Sequence, residues 1–141
     1  MPIYFHTESV KFTFNRRNLF KKWIRLVVDK HNKSAGSINI IFTSNEYLLS
    51  VNREYLNHNY NTDVITFEYN EEKLISGDIF VSVEQVKINA ESFKNLFEDE
   101  LNRVVIHGVL HLLGFMDNTV EEKNEIRREE DKALVLFNTV E

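Results

Sequence analysis

The 141 residues carry a formal charge of −5, are 43% hydrophobic and 12% aromatic, and include no cysteine. Such a chain suits one globular domain, residues 1–141, with a single core, and it excludes a disulfide framework, a thiol nucleophile and any cysteine-ligated zinc site. No run approaches the roughly 20 apolar residues that cross a bilayer, and residues 1–12 lack the basic and apolar regions of a signal peptide, so a soluble cytoplasmic protein with no membrane role is expected.

In chain order, residues 3–14 hold two short β-like runs around a polar turn. From Asn15, read as an N-cap, Leu19, Phe20, Trp23, Ile24, Val27 and Val28 recur at helical spacing. The opposite face of this helix carries Arg16, Arg17, Lys21, Lys22 and Arg25. Residues 34–37 (SAGS) break the helix, and residues 38–43 (INIIFT) read as a buried strand. Residues 45–56 form a second predicted helix, capped by Ser44 or Asn45. Residues 64–69 and 78–83 are predicted strands separated by a polar turn. Residues 84–97 and 98–113 are predicted helices, and Thr119 with Glu122 forms a capping box that opens a last helix to about residue 137. Strands and helices mix without strict alternation, which predicts an α+β fold: a small mixed sheet packed with helices.

Charge is unevenly spread along this order. Residues 1–60 carry nine Lys/Arg against four Asp/Glu, and residues 61–141 carry eight against eighteen. The net charge disfavours nonspecific nucleic-acid binding, but a basic half permits an RNA-facing surface that the total conceals. The plain alternative is a solvated helix face.

The stretch HGVLHLLGFMD, residues 107–117, concentrates the candidate chemistry. His107 and His111 are four apart, so on a helix both rings reach one point. Gly114 follows the periodic run, where helices commonly end in a left-handed residue. A chain reversed there brings Asp117 over the end of its own helix. Two imidazoles and one carboxylate then form a three-ligand metal site with a position left for water. The spacing matches the zincin-type metal helix HExxHxxGxxH of metzincin proteases, in which the Glu is the general base. Here that position is Gly108, so the scaffold stands without the peptidase base.

These residues also resemble the HGxLHLxG[YF]DH signature of the YbeY family of bacterial rRNA maturation factors. Residues 51–55 (VNREY) with 61–67 (NTDVITF) are similar to that family's LNxx[FY]R…TDVLSF, and residues 76–82 (SGDIFVS) to its GDIxIS. The resemblance implies a single-domain, zinc-binding endoribonuclease specific for single strands. It further implies processing of small-subunit rRNA 3′ ends and ribosome quality control, with rRNA and the ribosome as partners. The ion would activate a water that attacks an RNA phosphodiester. A cleft between the metal helix and the sheet, bordered by the basic N-terminal helix, would admit single-stranded RNA.

Two positions depart from the family pattern. The family's last histidine corresponds to Asp117 in the ungapped register and to Asn118 if one residue is inserted. Asp117 is preferred, because a carboxylate is a far better zinc ligand than a neutral amide. It would leave the ion a weaker Lewis acid than a three-histidine site, and two His with one carboxylate is also an iron(II) donor set. The second departure is Leu56, where the family has an arginine for RNA cleavage. Arg53, three residues earlier, is the candidate substitute for phosphate contact, or else an ordinary surface arginine. Thr62 and Asp63 either line the metal cleft or form a turn. Gly77 and Asp78 read as a turn entering a strand, and His6, His31 and His58 lack ligand spacing. Two rival functions remain: a noncatalytic ribosome-assembly factor with a structural metal, and a divergent metalloprotease.

Overall fold

The computed structural model describes residues 2–57 and 62–140. Its elements run β1 (Ile3–Glu8), α1 (Arg17–Lys30), β2 (Ser34–Thr43), α2 (Asn45–Leu56), β3 (Val64–Glu68), β4 (Leu74–Ser82), α3 (Val83–Phe93), α4 (Phe97–Leu112) and α5 (Val120–Val140). The four strands form one mixed sheet in the order β1-β2-β4-β3. β1 and β4 both pair with β2 in parallel, whereas β3 runs antiparallel to β4 along an edge. The fold is α+β, as the mixed order of predicted elements implied.

Alternation along the strands assigns the two faces of the sheet. Ile38, Ile40 and Phe42 of β2 and Ile75, Ile79 and Val81 of β4 point into the main core with Trp23, Val105, Val109 and Phe137 of the helices. Phe80 of β4 and Ile65 and Phe67 of β3 point the other way, under Tyr47, Leu48 and Val51 of α2. The sheet is thus sandwiched, with α2 alone against the far side of β3 and β4. Trp23 donates its indole N–H to the Ala133 carbonyl at 2.8 Å, which ties α1 to α5 inside the core.

Several local expectations shift. α1 starts at Arg17, with Arg16 and not Asn15 in the cap position and no side-chain cap bond. Arg16 lies over the rings of Phe20, Phe137 and Phe14 at 5.0, 5.9 and 6.0 Å, so packing and not capping sets the helix entry. Only the first β-like run becomes a strand. The second run's Phe12 and Phe14 instead wedge against Phe42. Residues 34–37 join β2, where Ser34 donates its N–H to Lys73 and pairs with Leu74. Gly77 and Asp78 lie inside β4 and not in a turn, paired with both β2 and β3, and the glycine is needed because a Cβ at 77 would meet the Phe67 carbonyl at 2.4 Å. The capping box forms as read, with Glu122 N–H donating to Thr119 Oγ1 at 3.1 Å and Thr119 N–H to Glu122 Oε1 at 3.0 Å.

Candidate metal centre

α4 turns its apolar stripe, including Leu101, Val105, Val109 and Leu112, to the main core. His107 and His111 occupy the neighbouring strip, one turn apart and half-buried. Gly108 faces the sheet between them. A Cβ there would lie 2.6 Å from Ile79 Cγ2 and 3.4 Å from atoms of Thr66 and Val64. The helix therefore rests on β3 and β4 at a depth that only glycine permits. A glutamate at 108 would be driven into the sheet, and the protease base has no room in this fold.

The C-terminus of α4 builds the rest of the site. Gly114 adopts φ +103, and the Phe115 N–H reaches back to the Leu110 carbonyl while the Gly114 N–H reaches the His111 carbonyl, each at 3.0 Å. This pair of bonds is a Schellman closure. It reverses the chain so that the Phe115 carbonyl meets His111 Nδ1 at 2.9 Å. Two residues later, Asp117 Oδ2 stands 3.3 Å from His107 Nε2 and 3.4 Å from His111 Nε2. The two Nε2 atoms are 2.9 Å apart. Asn118 donates its backbone N–H to Glu122 Oε1 at 3.1 Å in the cap of α5.

The hydrogen bonds dictate both tautomers. A carbonyl can only accept, so His111 carries its hydrogen on Nδ1. His107 Nδ1 lies 2.6 Å from Glu130 Oε2, and an ionised carboxylate likewise only accepts. Both Nε2 atoms are therefore left with lone pairs, facing each other and a carboxylate oxygen. That arrangement is repulsive until a cation, proton or metal, lies among the three atoms. Zinc bonds of about 2.0–2.1 Å in tetrahedral geometry separate ligand atoms by about 3.3 Å, so the three spacings suit such an ion. His107, His111 and Asp117 form the described residues' one group of three or more His, Cys, Asp or Glu side chains able to hold a metal.

The electrostatics agree with a cation-seeking cluster. Burial disfavours charge on His107, but the bond to Glu130 and its charge, helped by Asp117 and Asp63, outweigh burial and hold the pKa above the ordinary 6.5. Burial and the charge on His107 together push His111 below that value. For Glu130, burial is overcome by His107 and Arg103, which draw the carboxyl below its usual range. Asp63 goes the opposite way, raised by burial against the attraction of His107.

The three residues open into a cavity of about 290 Å³, lined also by Asn52 and Leu56 of α2 and by residues 62–66. Thr62 and Asp63 thus take the cleft-lining reading, and Asp63 Oδ2 accepts from the Asn89 side chain at 3.1 Å. Leu56, at the arginine position of the family pattern, lines this cavity too. Arg53 is exposed on α2 and is not part of the lining. No Lys or Arg lines the cavity among the described residues. The basic face of α1 does not border it. Lys21, Lys22 and Arg25 instead line a separate, larger cavity of about 640 Å³ with Lys33, and α1 packs on β2 and α5 while the metal cluster sits by the β3 edge. Asp78 points away from the cluster, accepting from Asn39 and from the Tyr69 hydroxyl at 3.1 Å each. His6 bonds Asn39 and His31 sits 3.6 Å from Glu129, while His58 lies outside the described residues.

One participant was missed in the sequence. Glu130 belongs to a run, RREEDK, that reads as a solvated face, yet its side chain is buried. Arg103 of α4 donates to Glu130 Oε1 and to Asp131 Oδ1, both at 2.8 Å. The signal was positional: Ile126, Glu130, Ala133 and Phe137 follow the i, i+4, i+7, i+11 spacing of the buried stripe of α5.

Comparison with known proteins shows the family. The family profile described as Endoribonuclease YbeY matches residues 3–138. Proteins named Endoribonuclease YbeY from Karelsulcia muelleri and Bacteroides fragilis are similar to the chain. The first is 47% identical over 87% of each protein, and the second 43% identical over 96% of this chain and 98% of the relative. The solution structure of a Thermotoga maritima protein superposes with a TM-score of 0.66 at 31% identity, covering 98% of this chain and 93% of that one. The fold, the metal-ready cluster and these likenesses agree, and the chain belongs to the YbeY family.

Proposed function

We infer that the protein is a metal-dependent endoribonuclease acting in rRNA maturation, with residues 1–141 working as one domain. Family membership over nearly the whole chain supports the reaction class. The observation that carries the site is the convergence of two tautomer-fixed Nε2 atoms and Asp117 Oδ2 at 2.9–3.4 Å. His107, His111 and Asp117 hold the ion, and zinc is the ion that this donor set and geometry favour. When bound, such an ion supplies Lewis acidity toward a phosphodiester and lowers the pKa of water. The Schellman turn holds His111 and Asp117 in register for it, and the apolar underside of α4 keeps the helix seated on the sheet.

The substrate reading is single-stranded RNA, specifically the 3′ end of the small-subunit rRNA, with the small ribosomal subunit as partner and the cytoplasm as site of action. No helix among the described residues is long and apolar enough to cross a membrane. The metal cavity holds two carboxylates and, among its described lining residues, no basic side chain other than histidine, so phosphates must be gripped from outside it. The cations of α1 are suited to this sequence-independent contact, and Arg53 at the rim of α2 is the candidate nearer the cleaved bond.

The deciding experiment measures metal content and cleavage of single-stranded RNA for the wild type and for His111→Ala. Cleavage by the metal-loaded wild type, lost with chelator and in the variant, is expected. A wild type that holds its metal, binds the small subunit and never cleaves RNA would instead establish the assembly-factor reading. A protease reading is disfavoured by Gly108, whose contact with Ile79 leaves no space for a base.

A further inference from the structure

The cluster has a feature that three ligands do not require. Glu130 is buried in α5, and its two oxygens serve different partners: Oε1 accepts from Arg103 and Oε2 from His107. Arg103 in turn spans Glu130 and Asp131. Burying a carboxylate is expensive, and an apolar residue at this stripe position would bind α5 to α4 at lower cost. If the ion pair only stapled the helices, both Glu130 oxygens could face the guanidinium as a bidentate pair. Instead one oxygen is turned to His107, at 2.6 Å, the shortest contact of the network.

We propose that Glu130, held in place by Arg103, is a positioning residue of the metal centre that keeps His107 in the Nδ1–H tautomer and aims its Nε2 lone pair at the ion. This rests on the reading of His107, His111 and Asp117 as metal ligands. The two histidines are then steered by unlike devices: His111 by a backbone carbonyl that the Gly114 turn delivers, His107 by a side chain from another helix. A carboxylate partner also increases the donor strength of the imidazole it bonds. Docking of α5 against α4 thereby tightens metal binding, since His107 is fully oriented only once Glu130 arrives.

Glu130→Gln is the discriminating substitution because the pocket asks for two acceptors and an amide has one. With its oxygen toward Arg103, the introduced amide would present N–H to His107, demand the opposite tautomer and place a hydrogen on Nε2. With its oxygen toward His107, it would set N–H against the guanidinium. The experiment titrates Zn²⁺ into full-length wild type, Glu130→Gln and Arg103→Met in competition with a chromophoric chelator. In parallel, long-range ¹H–¹⁵N NMR reads the protonated nitrogen of His107. Zinc affinity is expected to fall about 10–100-fold in Glu130→Gln and by less in Arg103→Met, which breaks the ion pair but leaves the carboxylate beside His107. The wild type should show Nδ1 protonated and Nε2 engaged by zinc.

Equal zinc losses in the two variants would mark Glu130 as a helix staple and overturn the proposal, as would an unchanged affinity in Glu130→Gln. If Glu130→Gln does not fold, the wild-type tautomer decides: a hydrogen on Nε2 of His107 in the zinc-loaded protein would sink the idea. A wild type that binds no zinc would overturn the ligand reading itself, and this proposal with it, an outcome distinct from binding that is indifferent to residue 130.

Discussion

The metal cavity and the α1 groove are opposites in charge and in construction. The cavity gathers two imidazoles and two carboxylates with no Lys or Arg among its described lining residues, whereas the groove gathers Lys21, Lys22, Arg25 and Lys33 around the single acid Asp29. On the proposed function a polyanion needs both attraction and a reactive centre, and cations beside the cluster would repel a bound ion. The proposed function separates grip from chemistry in this chain, where Leu56 and not a cation lines the cavity. The two places also differ in how they are held. Cavity residues are locked by the Schellman turn, the close glycine contact and a buried ion pair. The groove is one exposed helix face and the turn that follows it.

The sharpest way to break this comparison is at the third ligand. Asp117→Ala should abolish stoichiometric zinc binding and lower RNA cleavage by at least about a hundredfold, while RNA binding, which the proposed function assigns to the α1 groove, stays within about twofold. Asn118→Ala should leave both intact. Zinc analysis, cleavage assays and filter binding on the three proteins check this, and the reverse pattern would move the ligand to residue 118.

A second effect follows from the shifted pKa of His107. In the metal-free protein its charged form persists to a higher pH than in an ordinary histidine, and zinc must displace that proton. Apparent zinc affinity should therefore be highest at alkaline pH. It should start to fall as pH drops through the raised pKa, already above about 6.5, and decline about tenfold per unit below it for one proton. Affinity for RNA, which the proposed function places at the α1 groove and away from the cluster, should not follow that curve. Chelator competition at several pH values is the measurement.

Reversing the groove's charge tests the other half. Lys21→Glu with Lys22→Glu should weaken RNA binding and flatten its salt dependence by about 0.7 per lost phosphate contact, with zinc content unchanged. A salt series of binding curves reads this, and an unaltered slope would remove α1 from the RNA path. The smallest change is expected for Arg53→Ala, a loss of several-fold in kcat/KM if Arg53 meets a phosphate near the scissile bond, measured under single-turnover conditions. No change would return Arg53 to the status of a surface residue.

Much of this was legible in the residues because the relevant interactions are local. His107 and His111 at i, i+4, Gly114 after the periodic run, and the Thr119–Glu122 box depend on helix geometry over a few residues, and all formed as read. The cap of α1 was misread because Arg16 is fixed by Phe20 and Phe137, and the latter is far along the chain. The turn assigned to Gly77 was misread for the same reason, its glycine being demanded by Phe67 and Leu112 and not by a bend. Glu130 was hidden by composition, since a charged residue in a charged run gives no sign of burial until its partner is known.

The sequence by itself determined the α+β class, the spacing of the three candidate ligands and the turn that reverses the chain between them, because periodicity and backbone preference act over a few residues. Only the tertiary structure decided that Gly108 serves the contact with Ile79, that the basic helix stands apart from the metal cavity, and that Glu130 reaches His107. Each of those depends on which elements the sheet order and the core bring together across the chain, a choice made by the packing of many side chains at once.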